Sequence, residues 1–148
     1  NFKGLGWKDA EGNALNGAID DVLVKGKKMI ILDFKTRGFP LKEDTAAFYQ
    51  EKLDLYAFLF EKNGYPVEEY AYLLFYYPKH VLLNGDVAFH TELVKMKVST
   101  RNAGDILKRA LAVLAGQIPS GPVKVCAYCA WAEKAYEARL AAPQVEKS

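Results

Sequence analysis

Residues 17–36 read Gly-Ala-Ile-Asp-Asp-Val-Leu-Val-Lys-Gly-Lys-Lys-Met-Ile-Ile-Leu-Asp-Phe-Lys-Thr. The spacing predicts two adjacent β-strands that turn at Lys25–Lys28, the second running from Met29 to Lys35. Strands this apolar belong in a core, yet each carries acid in or beside its apolar run. A buried, unpaired carboxylate costs several kcal/mol or has its pKa forced upward. These acids are therefore expected to be paired or to hold a cation. In an antiparallel hairpin Asp20 and Asp33 can lie close across the ladder, and Lys35 shares the face of Asp33 because strand side chains alternate with period two. Two carboxylates and an ammonium at one strand end suit a metal-dependent hydrolytic centre, and an ion pair at the strand end is the competing reading. A shift of one residue in register would put Asp21 in the place of Asp20.

The remaining chain supplies a frame for that centre. Asn1–Asn16, with Gly4, Gly6, Gly12, Asn13 and Asn16, reads as an irregular lead-in, Leu5 and Trp7 covering an edge of the sheet. After Gly38 and Pro40, Lys42-Glu43-Asp44 precedes a helix expected over Thr45–Asn63. Its stripe is Tyr49, Leu53, Tyr56 and Phe60, flanked by Phe48, Leu55 and Leu59, and Gly64 ends it. Val67–Tyr77 is apolar on both alternating faces, as in a central strand covered on both sides. Asn84-Gly85-Asp86 marks a turn into Val87–Val98, a strand with Lys95 and Lys97 outward. Asn102, three residues before Asp105, predicts the start of a helix over Ala103–Ala115, with Ile106, Leu107, Ala110, Leu111 and Leu114 as its buried stripe. A loop through Gly116, Pro119, Gly121 and Pro122 leads to a last helix over Tyr128–Leu140, and the tail after Pro143 reads as frayed. A helix crossing between the second and third strands favours an α/β fold with a central mixed sheet flanked by helices.

Composition narrows the class without choosing the function. The 148 residues suit one domain, 51% are hydrophobic and 26% charged, and the net charge is +2. That is an ordinary water-soluble profile in which a nucleic-acid partner needs a local basic patch. No apolar run reaches transmembrane length and no secretory signal opens the chain, so a cytoplasmic location without a membrane partner is expected. The chain begins at Asn1 rather than Met, which leaves room for an N-terminal portion ahead of it. Cys126 and Cys129 stand together, so there is no distributed disulfide framework. His80 and His90 read as loop and strand-face residues, and the run Tyr70, Tyr72, Phe75, Tyr76, Tyr77 as core, with base stacking as the minor alternative.

Three segments together carry a family resemblance: Gly17-Ala18-Ile19-Asp20, Ile31-Leu32-Asp33-Phe34-Lys35-Thr36, and Leu53-Asp54-Leu55-Tyr56-Ala57 on the following helix. Over roughly Gly17–Trp131 the chain resembles the PD-(D/E)xK nuclease superfamily, which has a restriction-endonuclease-like core. The RecB-like branch, which includes AddB-type and CRISPR-associated exonucleases, is the most similar. The resemblance implies a metal-dependent deoxyribonuclease acting on single strands or ends, or a catalytically weak nucleic-acid-binding or interaction module on the same fold. It implies Asp20, Asp33 and the backbone carbonyl of Phe34 as ligands of Mg²⁺ or Mn²⁺, and Lys35 as the group that orients or deprotonates the attacking water. Tyr56 matches the tyrosine of the family's Gln-x-x-x-Tyr helix motif, which positions lysine or substrate. DNA, and a helicase or other repair or CRISPR protein, are the implied partners.

Three departures are specific to this chain. Lys52 stands where the motif has Gln, and Gln50 is about two-thirds of a turn away from Tyr56. Lys52 is read as a contact to phosphate, as a charge that repels Lys35, or as a surface lysine. Tyr56 has a second reading as a core aromatic. The His or Glu that related enzymes carry on an upstream helix has no candidate here, since His80 and His90 come too late; it either precedes Asn1 or is absent. Cys126-Ala-Tyr-Cys129-Ala-Trp131 resembles the cysteine pair that binds a four-iron cluster in AddB-like members with two further cysteines. Here Ala135 takes the third position and no N-terminal cysteine exists. Such clusters need four thiolates, so an intact iron–sulfur cluster is not expected, and the pair is left as a relic, a zinc site needing outside ligands, or two free thiols.

Overall fold

A computed structural model describes residues 3–117 and 126–141. The element order is β1 (Lys3–Lys8), β2 (Ala14–Ala18), β3 (Asp21–Lys25), β4 (Lys28–Thr36), a 3-10 turn (Thr45–Tyr49), α1 (Gln50–Lys62), β5 (Tyr70–Val81), β6 (Val87–Lys97), α2 (Thr100–Leu114) and α3 (Ala127–Ala141). Two compact units divide it, Asn1–Arg109 and Ala110–Ser148. The first holds a central four-stranded mixed sheet in the order β3-β4-β5-β6, with β1 and β2 forming a separate two-stranded sheet.

The chain reaches this sheet by a route that departs from the expectation at its start. Residues 3–18 are an antiparallel hairpin rather than an irregular lead-in, Trp7 pairing with Leu15 and Leu5 with Gly17. Leu5 is buried in the core, and the Trp7 ring meets the ring of Phe58 edge-on at 5.2 Å. These two side chains therefore fasten the hairpin to α1 rather than cover a sheet edge. Their alternation was hidden by the glycines and asparagines between them. What reads as one strand from Gly17 onward is also two. β2 ends at Ala18, the chain changes sheets at Ile19 and Asp20, and β3 starts at Asp21.

The expected turn is present: Lys25 pairs with Lys28 around Gly26, which adopts φ +62°. That left-handed backbone is readily adopted by glycine, as a two-residue hairpin loop requires. β4 then pairs in parallel with β5, Leu32 opposite Tyr72 and Lys35 opposite Phe75, with α1 as the crossover. Ile31 and Asp33 of β4 and Ala71, Leu73 and Phe75 of β5 are fully buried, as are Leu53, Ala57 and Phe60 of α1. Each large apolar side chain buried there contributes roughly 2 kcal/mol. The other face of β5 carries Tyr70, Tyr72, Leu74 and Tyr76, all half-buried rather than fully covered.

The expected helix over Thr45–Asn63 opens as the 3-10 turn before becoming α1, and Phe48, expected beside the core, is exposed. The third helical segment starts three residues before its expected position. Ser99, not Asn102, caps it, its Oγ accepting the N–H of Asn102 at 3.1 Å. Of its expected stripe Ile106, Leu107 and Leu111 are half-buried, whereas Ala110 and Leu114 are exposed. The last helix, α3, begins and ends within one residue of expectation. The expected loop through Pro119, Gly121 and Pro122 and the tail after Pro143 lie outside the described residues. Among the described residues no helix is long and apolar enough to cross a membrane.

Candidate active site

The break between β2 and β3 builds one half of the site. Asp21 and Leu32 form the last pair of the β3–β4 ladder, so Asp20 falls just past its end. There Asp20 Oδ2 accepts the backbone N–H of Phe34 at 3.0 Å. A side-chain oxygen thus stands in for the next ladder carbonyl and fixes Asp20 against the strand that carries Asp33. The acid that reaches this position is Asp20, and the Asp21 carboxylate instead accepts its neighbour's N–H at Val22, 2.8 Å away.

Asp33 is fully buried, and both of its oxygens are taken by ammonium groups. Lys35, two residues along the same strand face, pairs with Oδ2. Lys52, reaching across from α1, donates to Oδ1 at 2.6 Å. Lys35 Nζ also donates to the carbonyl of Phe34 at 3.2 Å. The end of the 3-10 turn and α1 supply aromatic walls on either side: the Lys35 ammonium is 5.0 Å from the Tyr49 ring centre, and the Lys52 ammonium 5.1 Å from that of Tyr56. Tyr49, Lys52 and Tyr56 follow at three and four residues, which puts them on one helix face. Cations over aromatic faces gain about 0.5–2 kcal/mol according to how far they are desolvated.

Burial, and then the neighbouring Lys52 charge, lower the Lys35 ammonium to a pKa of about 8, with Asp20 pulling the other way. One carboxylate charge cannot fully compensate two ammoniums. Lys35, its side chain 15% exposed against 41% for Lys52, bears more of the deficit.

The remaining expected residues have definite places. The Tyr56 hydroxyl donates to the carbonyl of Ala18 at 2.6 Å, tying α1 to the end of β2 just ahead of Asp20. Gln50 is turned away, its amide donating to Asp54 Oδ1 at 2.9 Å and to the carbonyl of Lys97 at 2.7 Å. His80 and His90 lie on the β5–β6 ribbon, the latter against the Tyr77 ring at 5.1 Å. In the second unit Cys126 Sγ accepts the N–H of Cys129 at the start of α3.

Sequence reasoning passed over Asp54. Its carboxylate is almost wholly buried and accepts from Gln50, from the Ser99 N–H at 2.8 Å and from the Asn102 amide at 2.6 Å. It therefore locks α1 to the beginning of α2, a role whose only trace in the sequence is a carboxylate between two apolar residues of a helix stripe.

Among the described residues no group of three or more His, Cys, Asp or Glu is placed to hold an ion. Mg²⁺ needs fewer, since it is commonly held by one or two carboxylates plus water and substrate phosphate. Asp20, Asp33 and the Phe34 carbonyl are hard oxygen donors of that number, and the buried Asp33 already draws two cations to itself. The donor chemistry of these residues suits such an ion, which would have to take an Asp33 oxygen now held by a lysine.

A mixed sheet whose parallel pair ends in Asp-x-Lys, faced by a crossover helix carrying cation and tyrosine, defines the restriction-endonuclease-like α/β class. A family model described as the PD-(D/E)XK nuclease superfamily matches residues 2–133, and the chain belongs to that superfamily. Membership implies a hydrolase acting on nucleic acid, and nucleases of this superfamily typically use divalent metals such as Mg²⁺. No curated protein and no solved structure matches the chain.

Proposed function

We propose that this domain is a Mg²⁺- or Mn²⁺-dependent deoxyribonuclease that hydrolyses phosphodiester bonds of single strands or ends, in the manner of the RecB-like branch. The observation that carries the reading is the convergence of Asp20, Asp33, Lys35 and Lys52 on one strand end in a chain of this superfamily. Asp20, Asp33 and the Phe34 carbonyl would hold the metal. When bound, the ion supplies Lewis acidity and a more acidic water. Lys35, beside Asp33 on the same strand face, would orient that water or help deprotonate it. Lys52 would move from Asp33 to a phosphate oxygen and offset charge that develops there in the transition state. Tyr56, through Ala18, holds the segment that delivers Asp20 and walls the phosphate site. A helicase or another repair or CRISPR protein would be its working partner, and the cytoplasm its location.

One observation favours a second reading. Lys52 occupies the Asp33 oxygen that a metal would need. A chain in which it stays there would bind nucleic acid without cutting it.

Labelled single- and double-stranded DNA incubated with Mg²⁺ or Mn²⁺ separates the two. Metal-dependent cleavage that disappears in both Lys35→Ala and Asp33→Ala is the expected result. Binding without cleavage by the unaltered protein would establish the second reading instead.

A further inference from the structure

Past the end of β4 the chain turns outward through Arg37, Gly38 and Phe39 and returns at Lys42–Tyr49, enclosing a groove of about 560 Å³. Its lining combines aromatic rings with cations. Phe39 and Phe48 are 55% and 79% exposed. The Arg37 guanidinium lies 4.6 Å from the Phe39 ring centre, and Lys42 completes the basic wall. Asp44 is the one carboxylate of that lining. Neither ring takes part in the core cluster; Phe48 stands largely in water and Phe39 is covered only in part, by Arg37, a cost that a ligand with a flat face would relieve.

The groove is fixed rather than loose. The Arg37 N–H donates to the carbonyl of Tyr76 at 2.8 Å, continuing the β4–β5 pairing by one residue. The Lys42 N–H donates to Thr45 Oγ1 at 2.9 Å, which sets the returning segment. Tyr49 joins groove to active site, since its ring lines the groove, stands 5.0 Å from the Lys35 ammonium and packs edge-on against Phe75.

We propose that this groove receives an unpaired DNA nucleotide next to the scissile phosphate at the Asp33–Lys35 strand end, its base on Phe48 and Phe39 and its backbone on Arg37 and Lys42. The proposal rests on the nuclease reading for where the scissile phosphate lies, and it adds the residues that would require the nucleotide beside that phosphate to be unpaired. Exposed rings beside cations suit stacking and phosphate binding together, and a base offers its face to a side chain only when it is unstacked from its neighbours. The volume is that of a site for one small organic group.

Fluorescence anisotropy of a labelled oligothymidylate and of a labelled blunt duplex, in EDTA so that nothing is cut, tests this. Phe39→Ala/Phe48→Ala should weaken oligothymidylate binding roughly tenfold or more while leaving its salt dependence unchanged. Arg37→Ala/Lys42→Ala should lower the slope of log K against log salt by about 0.7 for each phosphate that the two cations neutralise in the unaltered protein. Both Phe side chains are exposed, so circular dichroism of the double variant should match the unaltered protein. Unchanged oligothymidylate affinity in the Phe variant overturns the proposal, as does an equal loss for the blunt duplex or an unaltered protein that does not bind the oligonucleotide. Its failure is distinguishable from failure of the nuclease reading. Lys35-dependent cleavage with unchanged binding in the Phe variant keeps the enzyme and removes the groove. Phe-dependent binding without cleavage does the reverse.

Discussion

The Lys52 ammonium sits 2.6 Å from Oδ1 of Asp33, on the carboxylate whose other oxygen belongs to Lys35. A glutamine at that helix position could reach the same oxygen only as a neutral donor. The substitution therefore places a second positive charge where a divalent ion would bring its own. Lys52→Gln should tighten binding of Mg²⁺ or Mn²⁺ by about two- to fivefold, the modest range that a partly exposed ion pair permits. Isothermal titration without DNA measures this directly. Equal affinities in the two proteins would mean that Lys52 does not compete for the site.

The same pair of lysines makes a pH prediction for the metal-free protein. Lys35 is lowered to about 8 from 10.5, by burial first and by Lys52 second. Below pH 8 both folded and unfolded chains hold the proton, and the fold bears the full cost of the buried charge. Between about 8 and 10.5 the folded chain gives up the proton while the unfolded chain keeps it, so this group's contribution to stability rises with pH. Urea midpoints of the unaltered protein, taken relative to Lys35→Met to cancel other titrations, should therefore climb across that window. Repeating the series in Lys52→Gln should move its onset to higher pH, because the second cause has been removed.

Asp54 should matter more for stability than for chemistry. Asp54→Ala removes an almost wholly buried carboxylate that accepts from the Gln50 amide, the Ser99 N–H and the Asn102 amide, although Ser99 and Asn102 are themselves exposed. The expected loss is about 1.5–3 kcal/mol, the range for hydrogen bonds to a charged group. The urea midpoint should fall with little change in slope. Asn102→Ala, which removes one of the donors, should cost less.

In the second unit, the Cys126 thiol is lowered by hydrogen bonding from Cys129, whose own thiol is raised by the same bond. Cys126 should accordingly be alkylated first by iodoacetamide at mildly alkaline pH, because the thiolate is the nucleophile. Peptide mapping at partial modification reads the order. Modification of Cys129 first would contradict this arrangement of the donor.

The sequence made the sheet legible wherever period and polarity agreed. Met29–Lys35 alternates apolar in and acid in, and the Gly26 turn sets the β3–β4 register, so Asp33 and Lys35 could be placed on one face. The tyrosine-rich β5 and the Lys95/Lys97 alternation of β6 read the same way. The β1–β2 hairpin was not legible, because Gly4, Gly6 and Gly12 dilute a strand pattern whose packing partner, Phe58, lies some fifty residues on. The cap of α2 was misplaced because Asn102 looks like a cap by type. Its amide is instead used on Asp54, 48 residues away in sequence, and Ser99 does the capping. At the site, the position of Asp20 followed from the motif. Its fastening to the Phe34 N–H did not, since it depends on the chain leaving one sheet for another between Ala18 and Asp21.

That crossing rests on a close approach at Gly17, which yields the last prediction. A Cβ at this position would lie 2.7 Å from Leu59 Cδ1 and 3.1 Å from Tyr56 Cε1. Leu59 is 1% exposed and cannot swing aside, and the Tyr56 ring is held by its hydroxyl on Ala18 at 2.6 Å. Gly17→Ala must therefore push the end of β2 away from α1, and Asp20 lies three residues further along. Overpacking of this kind costs about 1–3 kcal/mol, to be read from thermal unfolding. Below the melting transition the variant should lose cleavage rate while its oligothymidylate affinity in EDTA holds, because the Phe39 and Phe48 groove lies on other segments. Full activity in a destabilised variant would show that Asp20 keeps its place without the β2 anchor.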